Sequence, residues 1–129
     1  MKLNRRAFLG TASATAVSLA APMVFAAGHG KSHVVVVGGG AGGATAARYI
    51  AQDSQGEINV TLIEPSRAYY TCFFSNLYLG GFRDIGSLAH SYGTIASGGV
   101  NVVHDWAVGV DRDAKTVALA GGGSVPYDK

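Results

Sequence analysis

The chain has 129 residues, enough for about one domain at roughly 100–200 residues each. Charged residues make up 14% and the formal net charge is +2, which excludes a basic nucleic-acid-binding chain and a charge-rich disordered one. Hydrophobic residues reach 48%, enough for a core, and the single cysteine, Cys72, excludes an intrachain disulfide and a cysteine-cluster metal site.

Lys2, Arg5 and Arg6 concentrate positive charge at the start, whereas from Ala27 onward seven basic face eight acidic side chains. Asn4-Arg5-Arg6-Ala7-Phe8-Leu9 is a twin-arginine pattern. A mildly apolar stretch follows from Ala7 to Ala21, Pro22 breaks it, and Val24-Phe25-Ala26 offers a small-residue cleavage site. This is the three-part layout of a secretory signal, and its weakly hydrophobic middle fits the twin-arginine route. Residues 1–26 are therefore expected to be removed, leaving 27–129 in a bacterial periplasm. The alternative, an uncleaved anchor, needs about 18–20 apolar residues to span; the run is shorter, so no stable membrane span is expected. The twin-arginine route exports folded proteins, which favours a tightly held cofactor.

Ala27 to Ser32 reads as a linker. His33 to Val37 is a continuous β-branched run, predicted to be a central parallel strand buried on both faces. Gly42 to Gln52 is Ala-rich and predicts a helix; Glu57 to Ile63 predicts a second strand, stopped by Pro65. Thr71 to Gly81 reads as a loop. Asp84 is a candidate N-cap for a helix from Ile85 to Ser97, ended by Gly98-Gly99. Val100 to Val103 predicts a third strand. Trp106–Val110, Thr116–Ala120 and Ser124–Tyr127 predict a β-meander, with Gly121-Gly122-Gly123 as a hairpin turn. Alternating strands and helices imply an α/β fold with a parallel sheet. Such a sheet normally continues beyond the meander, so the chain is expected to be truncated or the first piece of a longer protein.

Gly38-Gly39-Gly40-Ala41-Gly42-Gly43 contains Gly-x-Gly-x-x-Gly directly after the first strand and at the start of the helix. Gly38 permits the tight turn, Gly40 lets backbone N–H groups approach a pyrophosphate, and Gly43 lets helix and strand pack closely. The N-terminus of a helix carries about half a positive charge to meet the phosphates. Glu64 lies 21 positions beyond Gly43, at the end of the second strand. That matches the offset of about 20 for the acid that binds ribose hydroxyls. An anion there repels a 2′-phosphate, which favours FAD or NAD over NADP.

The fingerprint followed by a meander resembles the FAD-binding domain of flavoproteins with two dinucleotide-binding domains. The resemblance implies that backbone at Ala107 and Val108 meets the adenine end of FAD. Pro65-Ser66-Arg67-Ala68-Tyr69-Tyr70-Thr71-Cys72-Phe73-Phe74-Ser75-Asn76 with Gly80-Gly81, Val103-His104-Asp105 and Val125-Pro126-Tyr127-Asp128 is more specific. These stretches resemble the flavoprotein subunit of flavocytochrome c sulfide dehydrogenase, from about Ser32 to Lys129. That resemblance implies a Rossmann-like FAD-binding domain, with Cys72 bonded covalently to the 8α-methyl of FAD. It also implies periplasmic oxidation of sulfide, with electrons passed to a c-type cytochrome subunit. Without that resemblance, Cys72 reads first as an inert, buried cysteine.

One departure bears on catalysis. The family's sulfide chemistry uses a further redox-active cysteine pair, and this sequence has no second cysteine, so its catalytic residues stay unassigned and the piece alone is expected not to turn over sulfide. His90, His104, Arg67 and Trp106 read as surface or packing residues, His90 and His104 also as proton carriers, and Arg67 also as a phosphate neighbour. No metal-ligand cluster, nucleophile elbow or Cys-x-x-Cys-His haem site occurs, so any haem belongs to a partner. Two alternatives remain: a relative of sulfide:quinone oxidoreductase, and an FAD-binding module without turnover.

Overall fold

The computed structural model describes residues 30–129. The expected export signal, its cleavage site and the first half of the linker, residues 27–29, lie outside the described residues.

Strand β1 (Ser32–Val37) leads through the glycine loop into helix α1 (Ala41–Asp53), which returns to strand β2 (Ile58–Ile63). Strand β5 (Val100–Val103) completes a parallel sheet of order β1-β2-β5, in register Val34 with Val60 and Val60 with Val100. Side chains of β2 alternate between two cores, as a strand's period of two dictates. Val60 and Leu62 pack with Ala47 of α1, Tyr92 and Val100 on one face. Ile63 packs on the other with Val117, Leu119 and Val125.

That second core is supplied by the meander of β6 (Ala107–Asp111), β7 (Thr116–Leu119) and β8 (Ser124–Pro126), antiparallel throughout. Asp111 turns β6 into β7 by accepting the N–H groups of Asp113 and Ala114 at 3.0 and 2.8 Å. Gly122 and Gly123 take the positive φ that the next hairpin needs.

Three expectations need correction. The central strand is β2, with its last four residues buried; β1 has Val34 to Val36 only half-buried and Val37 exposed. On the far flank of β1 the chain's last residues take over: Asp128 N–H donates to His33 O at 2.7 Å, and Val35 N–H to Lys129 O at 3.0 Å. The expected helix from Ile85 to Ser97 is three pieces: a 3₁₀ turn (Ile85–Leu88), strand β4 (Ala89–Ser91) and a short helix α3 (Gly93–Ser97). Asp84 does cap the first piece, its Oδ1 accepting Gly86 N–H at 2.7 Å. Gly86 and Gly93 weaken a continuous helix, and pairing with strand β3 (Ala68–Tyr70), Tyr69 opposite His90, decides against it. The expected loop from Thr71 to Gly81 contains helix α2 (Ser75–Leu79), entered through Phe74 at φ 66°. No described helix is long and apolar enough to cross a membrane.

Candidate functional site: the glycine loop at the carboxyl end of the sheet

The loop runs off the carboxyl end of β1 with Gly38 N–H still held by Ile63 O at 2.9 Å. Gly38 then turns at φ +95°, a conformation that a side chain disfavours. A Cβ on Gly43 would collide with the carbonyl oxygen of Gly38, so only glycine lets α1 start this close to β1. At Gly40 and Gly42 an added Cβ would meet nothing within 4 Å, which marks the loop's open side.

Gly40 is the N-cap residue of α1, with no side-chain cap and no acidic residue in the first turn. The first turn of α1 is closed by Ala44 N–H donating to Gly40 O at 2.9 Å. The N–H groups before it are the unpaired donors of a helix start. Open space, unpaired donors and the positive end of the helix dipole together fit a diphosphate. Ala41 and Gly42 lie on this exposed turn.

Glu64 reaches back to the loop from the end of β2. Its Oε2 accepts Gly39 N–H at 2.8 Å and its Oε1 accepts Ser66 N–H at 2.8 Å. Burial would raise its pKa, but these hydrogen bonds and the nearby His104 outweigh that and hold the carboxyl below its usual range. A carboxylate has about four acceptor positions, so two remain open to further donors. His104, at the end of β5, shares a 3.1 Å hydrogen bond between Nδ1 and Glu64 O. Arg67 and His104 line, with Tyr92, an open hollow of about 490 Å³.

Two residues that sequence reasoning passed over belong to this site. Gly39 is buried, and a Cβ there would lie 2.6 Å from the Tyr92 hydroxyl and 2.8 Å from Glu64 Cγ. Tyr92 is 5% exposed and donates its hydroxyl to Gly39 O at 2.9 Å. Three consecutive glycines, where the fingerprint requires two, were the only local signal for Gly39. Nothing local marks Tyr92, which arrives 53 positions later through the β3–β4 pair.

Ala107 is half-buried at the start of β6, and Val108 is exposed. The register shifts between Ala107 and Gly109, so Val108 is the extra residue of a bulge. A bulge leaves its extra residue's backbone outside the ladder, a geometry open to a ligand. Cys72 is an exposed free thiol between β3 and α2. Its neighbours Tyr70, Phe73 and Phe74 are also exposed. The β3–β4 pair ties it to the loop region indirectly: Tyr69 packs against the core that contains Tyr92. Cys72 itself makes no contact with the glycine loop among the hydrogen bonds of the described residues. His90 and Trp106 are exposed.

The chain is 53% identical over 47 residues to the flavocytochrome c sulfide dehydrogenase flavoprotein chain of Chlorobaculum thiosulfatiphilum, covering 36% of this chain and 96% of that one. The sulfide:quinone oxidoreductase of the hyperthermophilic bacterium Aquifex aeolicus superposes with a TM-score of 0.67 at 26% identity, over 75% of this chain and 23% of that one. The water-forming NADH oxidase of Lactobacillus brevis gives 0.67 at 27% identity, over 77% of this chain and 24% of that one. The chain thus spans about a quarter of the length of the solved structures it matches. The fold is the Rossmann-like FAD-binding fold, and the flavoprotein relatives support a flavin cofactor. The model of the pyridine nucleotide-disulphide oxidoreductase family matches residues 32–129, and the chain belongs to that family.

Proposed function

We propose that this chain forms the FAD-holding portion of an exported flavoprotein that oxidises sulfide and delivers the electrons to a c-type cytochrome. The observation that carries the reading is the 53% identity over 47 residues to a sulfide dehydrogenase flavoprotein chain. Gly38, Gly40, Ala41, Gly42 and Gly43 hold the diphosphate, Glu64 takes the ribose hydroxyls, and backbone at Ala107 and Val108 meets the adenine. Cys72 tethers the cofactor through a thioether to its 8α carbon. Forming that bond would release two protons, one from the thiol and one from the 8α methyl, and its two electrons would pass through the flavin to the cytochrome one at a time. When bound, the flavin supplies two-electron acceptance from sulfide and one-electron release to haem.

Export through Arg5-Arg6 places the protein where a lost flavin is not replaced, and the Cys72 tether answers that need. The test is anaerobic addition of sulfide to the complete flavoprotein, of which this chain is the FAD-holding portion, purified after export. The flavin absorbance should bleach and recover on adding oxidised cytochrome c, which becomes reduced. Bleaching that a quinone reverses and cytochrome c does not would favour the second reading, a sulfide:quinone oxidoreductase, supported by the 26% identity to the Aquifex enzyme. A bound flavin that sulfide leaves unbleached would point to a binding module without turnover. Replacing Arg5 and Arg6 by lysine should retain uncleaved precursor in the cytoplasm.

A further inference from the structure

The glycine loop holds its own shape poorly. Rotation of the peptide between Gly39 and Gly40 is governed by the ψ of one glycine and the φ of the next, and no Cβ resists its turning over. Yet that peptide decides which way the Gly40 N–H points. The peptide is planar, and no cis bond occurs among the described residues, so its C=O and N–H point in opposite directions. The C=O end is fixed from below: the buried Tyr92 hydroxyl donates to Gly39 O at 2.9 Å. The preceding peptide is fixed as well, its Gly39 N–H bonded to Glu64 Oε2 at 2.8 Å. With the carbonyl drawn inward, the Gly40 N–H points the opposite way, away from Tyr92.

We propose that Tyr92 is a positioning residue for the cofactor's diphosphate, its hydroxyl locking the Gly39–Gly40 peptide with the Gly40 N–H aimed at the phosphate oxygens. The inference rests on the dinucleotide reading of the loop and extends it to a residue outside the fingerprint. Tyr92 suits the task. Its ring is anchored in the core with Ala47, Leu62 and Val100 and tilts against the His104 ring at a centroid distance of 5.9 Å. Burial, with Glu64 and Tyr69 nearby, pushes its pKa up, so the hydroxyl keeps its proton and donates throughout the neutral range. A phenylalanine would keep the ring and lose only the donor.

The test uses the full chain carrying Cys72→Ser, so that nucleotides exchange freely, with and without Tyr92→Phe. ADP and adenosine are titrated separately, and circular dichroism checks that both proteins are folded. The expected result is ADP binding about fivefold weaker in Tyr92→Phe, the effect of one lost hydrogen bond, with adenosine binding unchanged. A structural role would loosen both ligands alike, because adenosine shares every contact except those to phosphate. Equal weakening of both, or unchanged ADP binding, overturns the proposal while leaving the loop's role intact. A folded Cys72→Ser chain that binds neither ADP nor FAD overturns the dinucleotide reading, and the proposal falls with it.

Discussion

Glu64 Oε2 lies 2.8 Å from the backbone nitrogen of Gly39, so the acidic residue at the end of β2 shapes the glycine loop. Its other oxygen accepts Ser66 N–H, so both oxygens are engaged by donors that cannot become acceptors. Glu64→Gln must turn an amide NH₂ toward one of them. The expected cost is about 1–3 kcal/mol, the penalty for an unmet polar group, read as a lower midpoint of urea unfolding in the cofactor-free protein. Because the folded carboxyl sits below its usual pKa of 4.5, its contribution is complete above that value and is lost as the pH falls through the folded pKa. A Gln variant as stable as wild type would show that these two hydrogen bonds carry little weight.

Fold and ligand binding separate cleanly at two glycines. A Cβ on Gly43 meets the Gly38 carbonyl, a backbone atom that cannot step aside. Gly43→Ala should cost about 3 kcal/mol, as overpacking does, or prevent folding. Gly40 has φ −64° and ψ −176°, open to any residue, with free space around it. Gly40→Val should therefore fold, with a melting temperature within a few degrees of the cofactor-free Cys72→Ser protein, and hold no flavin. Stoichiometric FAD in purified Gly40→Val would show that this loop does not hold the phosphates.

What was legible in the sequence was local. The valine run, the glycine spacing and Glu64 at its offset depend on neighbours along the chain, and the parallel sheet, α1 and the meander follow from them. The Asp84 cap was also legible, because an Asx turn needs only Gly86. The segment from Ala68 to Ser97 was not. There the pairing of Tyr69 with His90 overrides a weak helical pattern that Gly86 and Gly93 already undermine. Tyr92 was lost with it, because its partner Gly39 is remote in sequence. The rank of β1 was misread for a similar reason. A valine run shows that a strand is apolar, whereas its neighbours are fixed by the topology, which places β2 in the middle.

His33 gives the protein a pH response. It is 6% exposed, its Nε2 shares a 2.8 Å hydrogen bond with Thr61 Oγ1, and its Nδ1 has no partner. Burial lowers its pKa below 6.5, and Asp128, which accepts the His33 backbone N–H at 2.7 Å, only partly opposes this. The unfolded chain then binds the proton more readily than the folded one. Stability is complete above pH 6.5 and declines as the pH falls toward the folded pKa. Melting temperatures measured from pH 7.5 to 5.5 should fall, and the fall should flatten in His33→Gln. Parallel slopes for the two proteins would assign the response to other groups.

Cys72 carries the most specific expectation. Its thiol is exposed in the segment between β3 and α2, free of any disulfide, so access does not prevent its attachment to a ligand. A thioether survives acid and detergent, whereas hydrogen bonds to the glycine loop do not. After export and acid precipitation, yellow colour should stay with the polypeptide, and the tryptic peptide containing Cys72 should carry the mass of FAD or of its flavin part. Cys72→Ser should still bind FAD through Gly38 to Gly43 and Glu64, yet release all of it on precipitation. The comparison of the two proteins isolates the tether from the rest of the site, since the loop and Glu64 are common to both. Wild-type protein that surrenders its flavin to acid as readily as Cys72→Ser would remove the tether. The loop and Glu64 would then hold the cofactor unaided, and the sulfide dehydrogenase reading would rest on the 47-residue likeness alone.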